Sequence, residues 1–231
     1  MATEIEAYYD DGSGTYLLSF DEDFLDATLT KSGGKVESWL GETYRIHRSC
    51  GHPLVVGLDV EWRPAAPVPG PVAVLQLCVD RRCLVFQILH ADYVPDALSR
   101  FLADPRFTFV GVGVRDDAAR LRVGYGLEVP RAVDLRALAA DTLGRPDLRR
   151  AGLRALVREV MGVQMDKPHH VRVSAWDKRN LSEDQFKYAC TRRVRVPGRS
   201  AGGSTPATAT AHDDVVSFVV GWTGLLTFCH I

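Results

Sequence analysis

The run Leu54-Val55-Val56-Gly57-Leu58-Asp59-Val60-Glu61-Trp62 decides how the rest of this 231-residue chain is read. Its apolar opening predicts a buried strand, and Asp59 and Glu61 close that strand at i and i+2. Side chains alternate along a strand, so the two carboxylates share one face. Two anions held side by side repel, and hard divalent cations with oxygen ligands relieve that repulsion while also taking phosphate oxygens. The same pattern also fits a solvated strand rim, so the decision falls to the rest of the chain.

Composition narrows the field. At 46% hydrophobic the chain can build a substantial core, as one α/β domain or two small ones. A net charge of -1 excludes a general polycation, but the charge is uneven. Residues 1 to 30 hold eight Asp/Glu and no Lys/Arg, whereas residues 172 to 199 hold eight Lys/Arg against three Asp/Glu. Such a basic stretch can track phosphates or simply form a solvated face. Cys50, Cys78, Cys83, Cys190 and Cys229 form no C-x-x-C pair, which predicts reduced thiols in an intracellular protein. The acidic start is not expected to be a signal or transit peptide. No run approaches the roughly 18 apolar residues of a membrane helix, so no membrane partner is expected.

Outward from residues 54 to 62, the chain alternates strand and helix signals. Tyr16 to Phe20 and Phe24 to Thr30 read as strands around an acidic turn, after a tail over residues 1 to 15. Val36, Trp39, Leu40 and Tyr44 recur at helical spacing. Four prolines between 64 and 71 make a loop. Val72 to Val79 and Arg82 to Gln87 form a hairpin turning at Asp80-Arg81. A helix follows at 95 to 102, a buried strand at 107 to 112 and a helix at 116 to 122. A short strand at 133 to 135 leads into a helix at 136 to 143, and another helix is predicted over 148 to 161. Ser182 with Gln185 three residues on is a capping-box pattern opening a helix that ends at Cys190. The whole predicts an α/β fold, a mixed sheet flanked by helices.

Two further segments carry chemistry. Val110-Gly111-Val112-Gly113-Val114-Arg115-Asp116-Asp117 hands a strand over to a helix with Asp117 in its first turn, a place that also suits plain capping. Trp176 to Cys190 places Tyr188 on a helix that also displays Lys178, Arg179 and Lys187; packing alone would also explain the tyrosine. Asp134 is a natural cap for the helix after it. His169-His170 has no carboxylate partner at ligand spacing. Gly111 and Gly113 lack the third glycine of a dinucleotide loop.

In this order, GLDVEWRP (57 to 64), VAVLQLC (72 to 78), CLVFQI (83 to 88), FVGVGVRDD (109 to 117), DLRALA (134 to 139), LVREVMG (156 to 162) and SAWDKRNLSEDQFKYAC (174 to 190) resemble the DEDDy 3′-5′ exonucleases. The likeness is to the Werner-syndrome-type exonuclease domains, and their plant members in particular. It covers roughly residues 15 to 190 and resumes at 213 to 221. The resemblance implies a ribonuclease-H-like fold and an exonuclease-like domain over 16 to 231. It also implies a site in which Asp59, Glu61 and Asp117 (or Asp116, one register earlier) ligate two Mg²⁺ or Mn²⁺ ions. Tyr188 would orient the attacking water, since a phenol with its ordinary pKa near 10 is a poor base at neutral pH. Lys178, Arg179 and Lys187 would meet backbone phosphates, and Leu58 and Trp62 the terminal nucleotide, unless Trp62 only packs the rim. DNA is the expected partner, with RNA as an alternative. A nuclear location (with the cytoplasm as alternative) and a helicase partner follow from the family alone.

One departure stands out. The family's last carboxylate lies four residues after the tyrosine, on the same helical face, but that position here is Arg192. Omitting residues 191 to 211, a stretch without Leu, Ile, Phe or acid that resembles translated non-coding sequence, restores the spacing and puts Asp213 in that place. Residues 191 to 211 therefore read as a flexible insert. Closing such a loop costs on the order of 3 kcal/mol or more. The stripe Val215, Val216, Phe218, Val219 and Trp222 can offset this at about 1.5–3 kcal/mol per large side chain buried. Three functions follow: a metal-dependent 3′-5′ exonuclease with Asp213 completing its site, an inactive nucleic-acid-binding scaffold, or an RNase-D-like trimming enzyme that shares every carboxylate.

Overall fold

The computed structural model describes residues 7–10, 14–20, 23–50, 53–64, 68–161 and 169–190. The predicted insert, Asp213 and the apolar stripe after it lie outside these residues. In chain order the elements are β1 (Ala7–Asp10), β2 (Thr15–Phe20), β3 (Asp23–Thr30), α1 (Gly33–Ile46), β4 (Leu54–Trp62), β5 (Val72–Val79) and β6 (Arg82–Phe86). Then come α2 (Asp96–Ala103), β7 (Phe107–Gly111), α3 (Val114–Tyr125), β8 (Ala132–Asp134), α4 (Leu135–Leu143), α5 (Leu153–Met161), α6 (His169–Arg172) and α7 (Glu183–Cys190).

The described strands form one mixed sheet in the order β1-β2-β3-β6-β5-β4-β7-β8. β4, β7 and β8 are mutually parallel, and β3 is parallel to β6. β5 runs antiparallel to both β4 and β6, which makes those two parallel to each other. The carboxyl ends of β3, β6, β4, β7 and β8 therefore all reach one edge of the sheet. In open α/β sheets that edge is where ligands bind.

Strand alternation divides the core into two layers. Val56, Leu58 and Val60 of β4 join Phe107 and Phe109 of β7 beneath α1, α2 and α3. On the opposite face, Val110 packs with Leu135, Leu138 and Leu156 of α4 and α5. On that same face Val74 and Val85 pack with Val171, Trp176, Phe186 and Tyr188. Each face thus buries the apolar stripe of its own helices, as a two-sided sheet requires. Among the described residues, no helix is long and apolar enough to cross a membrane.

Two expectations change. Ala7–Asp10, predicted as tail, pairs with β2 as an edge strand, with Tyr8 opposite Leu18; its two tyrosines favour a pleated surface. The helix predicted over 148 to 161 is two pieces. A 3-10 turn over Pro146–Arg150 ends where Ala151 turns extended (ψ 139), and α5 starts only at Leu153. Gly152 at the junction makes continuing the helix less favourable.

Candidate functional site

β4 carries the first two carboxylates to the shared edge. Asp59 stands opposite Gln76 and Glu61 opposite Val74 on β5, so both point to the face covered by α4 to α7. Glu61 is 6% exposed. The register slips between Glu61 and Trp62, where β5 contributes one extra residue, Ala73. Such bulges re-aim side chains and occur next to active sites.

Asp117 reaches the same edge from β7. In α3 it occupies the buried stripe between Val114 and Leu121, a carboxylate where spacing calls for an apolar residue, and it is 6% exposed. Asp116, the register alternative, is exposed. Glycine lets the strands close up here. A Cβ on Gly111 would lie 2.4 Å from the carbonyl oxygen of Leu58, the residue before Asp59. Gly113, at φ +82, takes the left-handed turn that launches α3.

Tyr188 approaches on the face of Asp59 and Glu61. It is buried in the cluster that contains Val74, the cross-strand partner of Glu61, and its ring centroid is 5.8 Å from that of Trp176. The predicted capping box fixes the helix that bears it. The Ser182 N–H donates to Gln185 Oε1 at 2.9 Å, and the Gln185 N–H donates to Ser182 Oγ at 3.2 Å.

The donor set, Asp59, Glu61 and Asp117, is all oxygen and suits hard divalent cations. The Gly111 contact that admits these strands to one another fits that use. Among the described residues, however, no three Asp, Glu, His or Cys side chains stand close enough together to hold a metal ion. The structure brings Asp59 and Glu61 onto one face and Asp117 to the same edge, and does not close them into a cage.

A basic loop borders the carboxylates. Lys178 and Arg179 are exposed in the turn before α7, not on the helix as predicted, because the Ser182 cap starts that helix at Glu183. Their backbone carbonyls accept hydrogen bonds from Gln87 Nε2 at 3.3 and 3.1 Å. His90 Nε2 contacts the Asp177 carbonyl at 2.8 Å, Lys31 Nζ donates to Asn180 Oδ1 at 2.8 Å, and Arg63 pairs with Asp177 at 3.3 Å. Gln87 and Lys31 follow the carboxyl ends of β6 and β3, so the loop is tied to the same edge. Lys187 pairs with Glu183 at 2.6 Å.

Other predicted residues have plainer surroundings. Trp62 packs against the α1–α3 core, with the Arg120 guanidinium 4.1 Å from its ring centroid. The Arg120 contact is a cation–π interaction that adds to this packing. Leu58 is core. His169 and His170 lie exposed on α6. Two polar residues were not singled out from sequence. Gln76, 3% exposed and opposite Asp59, has an amide nitrogen without a hydrogen-bond partner among the described residues. Its one signal was an amide inside an apolar strand. Gln87 anchors the basic loop, and only the fold could show that.

Comparisons with known proteins bear on family and fold. A protein-family model described as 3′-5′ exonuclease matches residues 37–191. A 3′-5′ exonuclease of Arabidopsis thaliana is 34% identical over 140 residues, 59% of this chain and 48% of that protein. The mouse bifunctional 3′-5′ exonuclease/ATP-dependent helicase WRN is 34% identical over 158 residues, 67% of this chain and 11% of that protein. The chain thus spans about half, or less, of the length of these curated relatives. The structure of Escherichia coli RNase D shares the fold, with a TM-score of 0.59 at 24% identity over 73% of this chain and 41% of that one. With its motif residues gathered at one edge of a ribonuclease-H-like sheet, the chain belongs to the 3′-5′ exonuclease family, as a DEDDy-type domain.

Proposed function

We propose that the protein is a divalent-metal-dependent exonuclease that removes nucleotides from the 3′ end of DNA. The observation that carries this reading is the gathering of Asp59, Glu61 and Asp117 at the carboxyl edge of the sheet, with Tyr188 on the face of the first two. Bound cations would supply Lewis-acid stabilisation and a water of lowered pKa. Asp59, Glu61 and Asp117 would hold two such ions, joined by Asp213. The Tyr188 hydroxyl orients the water, and the wall formed with Trp176 excludes bulk solvent. Lys178 and Arg179 take backbone phosphates, which favours polarity and register over base identity.

The absence of a three-ligand cluster among the described residues, and Arg192 in the last-carboxylate position, favour a second reading, a nucleic-acid-binding scaffold without catalysis. Calorimetric titration with Mn²⁺ separates the two. The exonuclease reading expects two sites on the intact chain, weakened in Asp213→Ala. No uptake by the intact chain, with uptake after deletion of 191–211, would leave the scaffold. RNA trimming is tested by competition between labelled RNA and DNA of one sequence.

A further inference from the structure

Asp134 stands in register with Gly111 at the end of β8 and is 8% exposed. One oxygen caps α4, accepting the Arg136 backbone N–H at 2.9 Å. The Arg136 side chain adds a two-pronged pair, Nε to Oδ1 at 3.0 Å and Nη2 to Oδ2 at 2.7 Å. A helix cap needs none of what comes next. The Gly113 N–H donates to Oδ2 at 3.2 Å. The Gly113 carbonyl in turn accepts the Asp116 N–H at 2.9 Å and the Asp117 N–H at 3.3 Å. Gly113 offers α3 no capping side chain of its own. A relay of hydrogen bonds therefore runs from the Asp134 carboxylate, through the two backbone polar groups of the single residue Gly113, to the backbone of Asp117.

Resting on the exonuclease reading above, we propose that Asp134 is a positioning residue for the metal site: it latches the β7–α3 turn and thereby sets where the Asp117 carboxylate stands. Arg136 serves the latch by holding the Asp134 carboxylate in one orientation, and a two-pronged Arg–carboxylate pair is well suited to that. Residues that orient metal ligands typically change metal affinity by about 10–100-fold when removed.

The test uses Asp134→Ser in the full chain. Serine keeps an oxygen for the α4 cap but has no second oxygen for Gly113. Asp134→Asn, which preserves shape, serves if the serine variant folds poorly. Leu98→Ala, in the core of α2 away from the β7–α3 turn, controls for general destabilisation. Two quantities are read: amide exchange at Asp116 and Asp117 without metal, and the Mn²⁺ dissociation constant by calorimetry. The latch predicts, in Asp134→Ser, exchange at both amides about tenfold faster than in Leu98→Ala, and Mn²⁺ binding weaker by about tenfold. Exchange no faster than in the control, or an unchanged Mn²⁺ constant, overturns it. Wild-type chain that takes up no Mn²⁺ defeats the exonuclease reading instead, and the exchange comparison still decides the latch.

Discussion

Replacing Gly111 by alanine adds a single methyl group, and the structure says where it goes. The new Cβ would lie 2.4 Å from the Leu58 carbonyl oxygen and 3.2 Å from the Val114 Cβ. Real Cβ contacts stay above 3.0 Å. The obstacle is the backbone of β4, which at Leu58 is paired with Leu77 of β5, and not a side chain that could swing away. Overpacking a tight core costs about 1–3 kcal/mol, and a backbone obstacle puts Gly111→Ala at the upper end, about 3 kcal/mol. For a chain of this size that is a fall in Tm of about 6–12 °C. The displaced strand end also carries Asp59, and a misplacement of ~1 Å can cost about a hundredfold in rate. Gly41→Ala is the matching control. Gly41 lies in the middle of α1 with open space around its Cβ position, so alanine there should stabilise by about 0.5–1 kcal/mol. Thermal unfolding in EDTA, with exonuclease rates beside it, reads both. If Gly111→Ala melts with the wild type, the close approach of β7 to β4 is wrong.

Three other outcomes follow from single interactions. Ser182→Ala should cost about 1 kcal/mol in urea unfolding, since it removes one half of a capping box seen at 3.2 Å. Burial and the Asp104 hydrogen bond push the Tyr44 hydroxyl up to about 12; a native value above the unfolded one means its contribution is whole below pH 10 and fades as pH rises toward 12. Absorbance titration should show that late phenol, and Tyr44→Phe should remove it. Burial raises the Asp134 carboxyl, but hydrogen bonds from Arg136 and Gly113 outweigh this and hold it below its ordinary 3.8. Its contribution is therefore present above about pH 4 and lost as pH falls through the lowered native value, a loss that acid unfolding of Asp134→Ser should not show.

Much of the sheet was legible because its signals are local. Residues 54 to 62 read as a strand closed by two carboxylates, and β4 is that strand. Ser182 and Gln185 read as a capping box and form one. Asp116 and Asp117 stay alternatives in the sequence, and only the start of α3 at Val114 shows that Asp117 falls on the buried stripe. What failed was long-range. Lys178 and Arg179 were placed on a helix because the hydrogen bonds that hold them in a loop come from Gln87, 91 and 92 residues away in sequence. Asp134 read as a cap, which it is, but its contact to Gly113 depends on β7 and β8 lying side by side. The split at Ala151-Gly152 turned on one extended residue inside an otherwise helical pattern.

The most direct test of the central claim is degradation of a 3′-recessed, end-labelled duplex by the full chain with Mg²⁺ or Mn²⁺. The account predicts a ladder shortening from the 3′ end that EDTA stops and that is absent in Asp59→Ala, although this variant stays folded. A wild-type chain that leaves the duplex intact, or an Asp59→Ala chain that shortens it at the same rate, would contradict it.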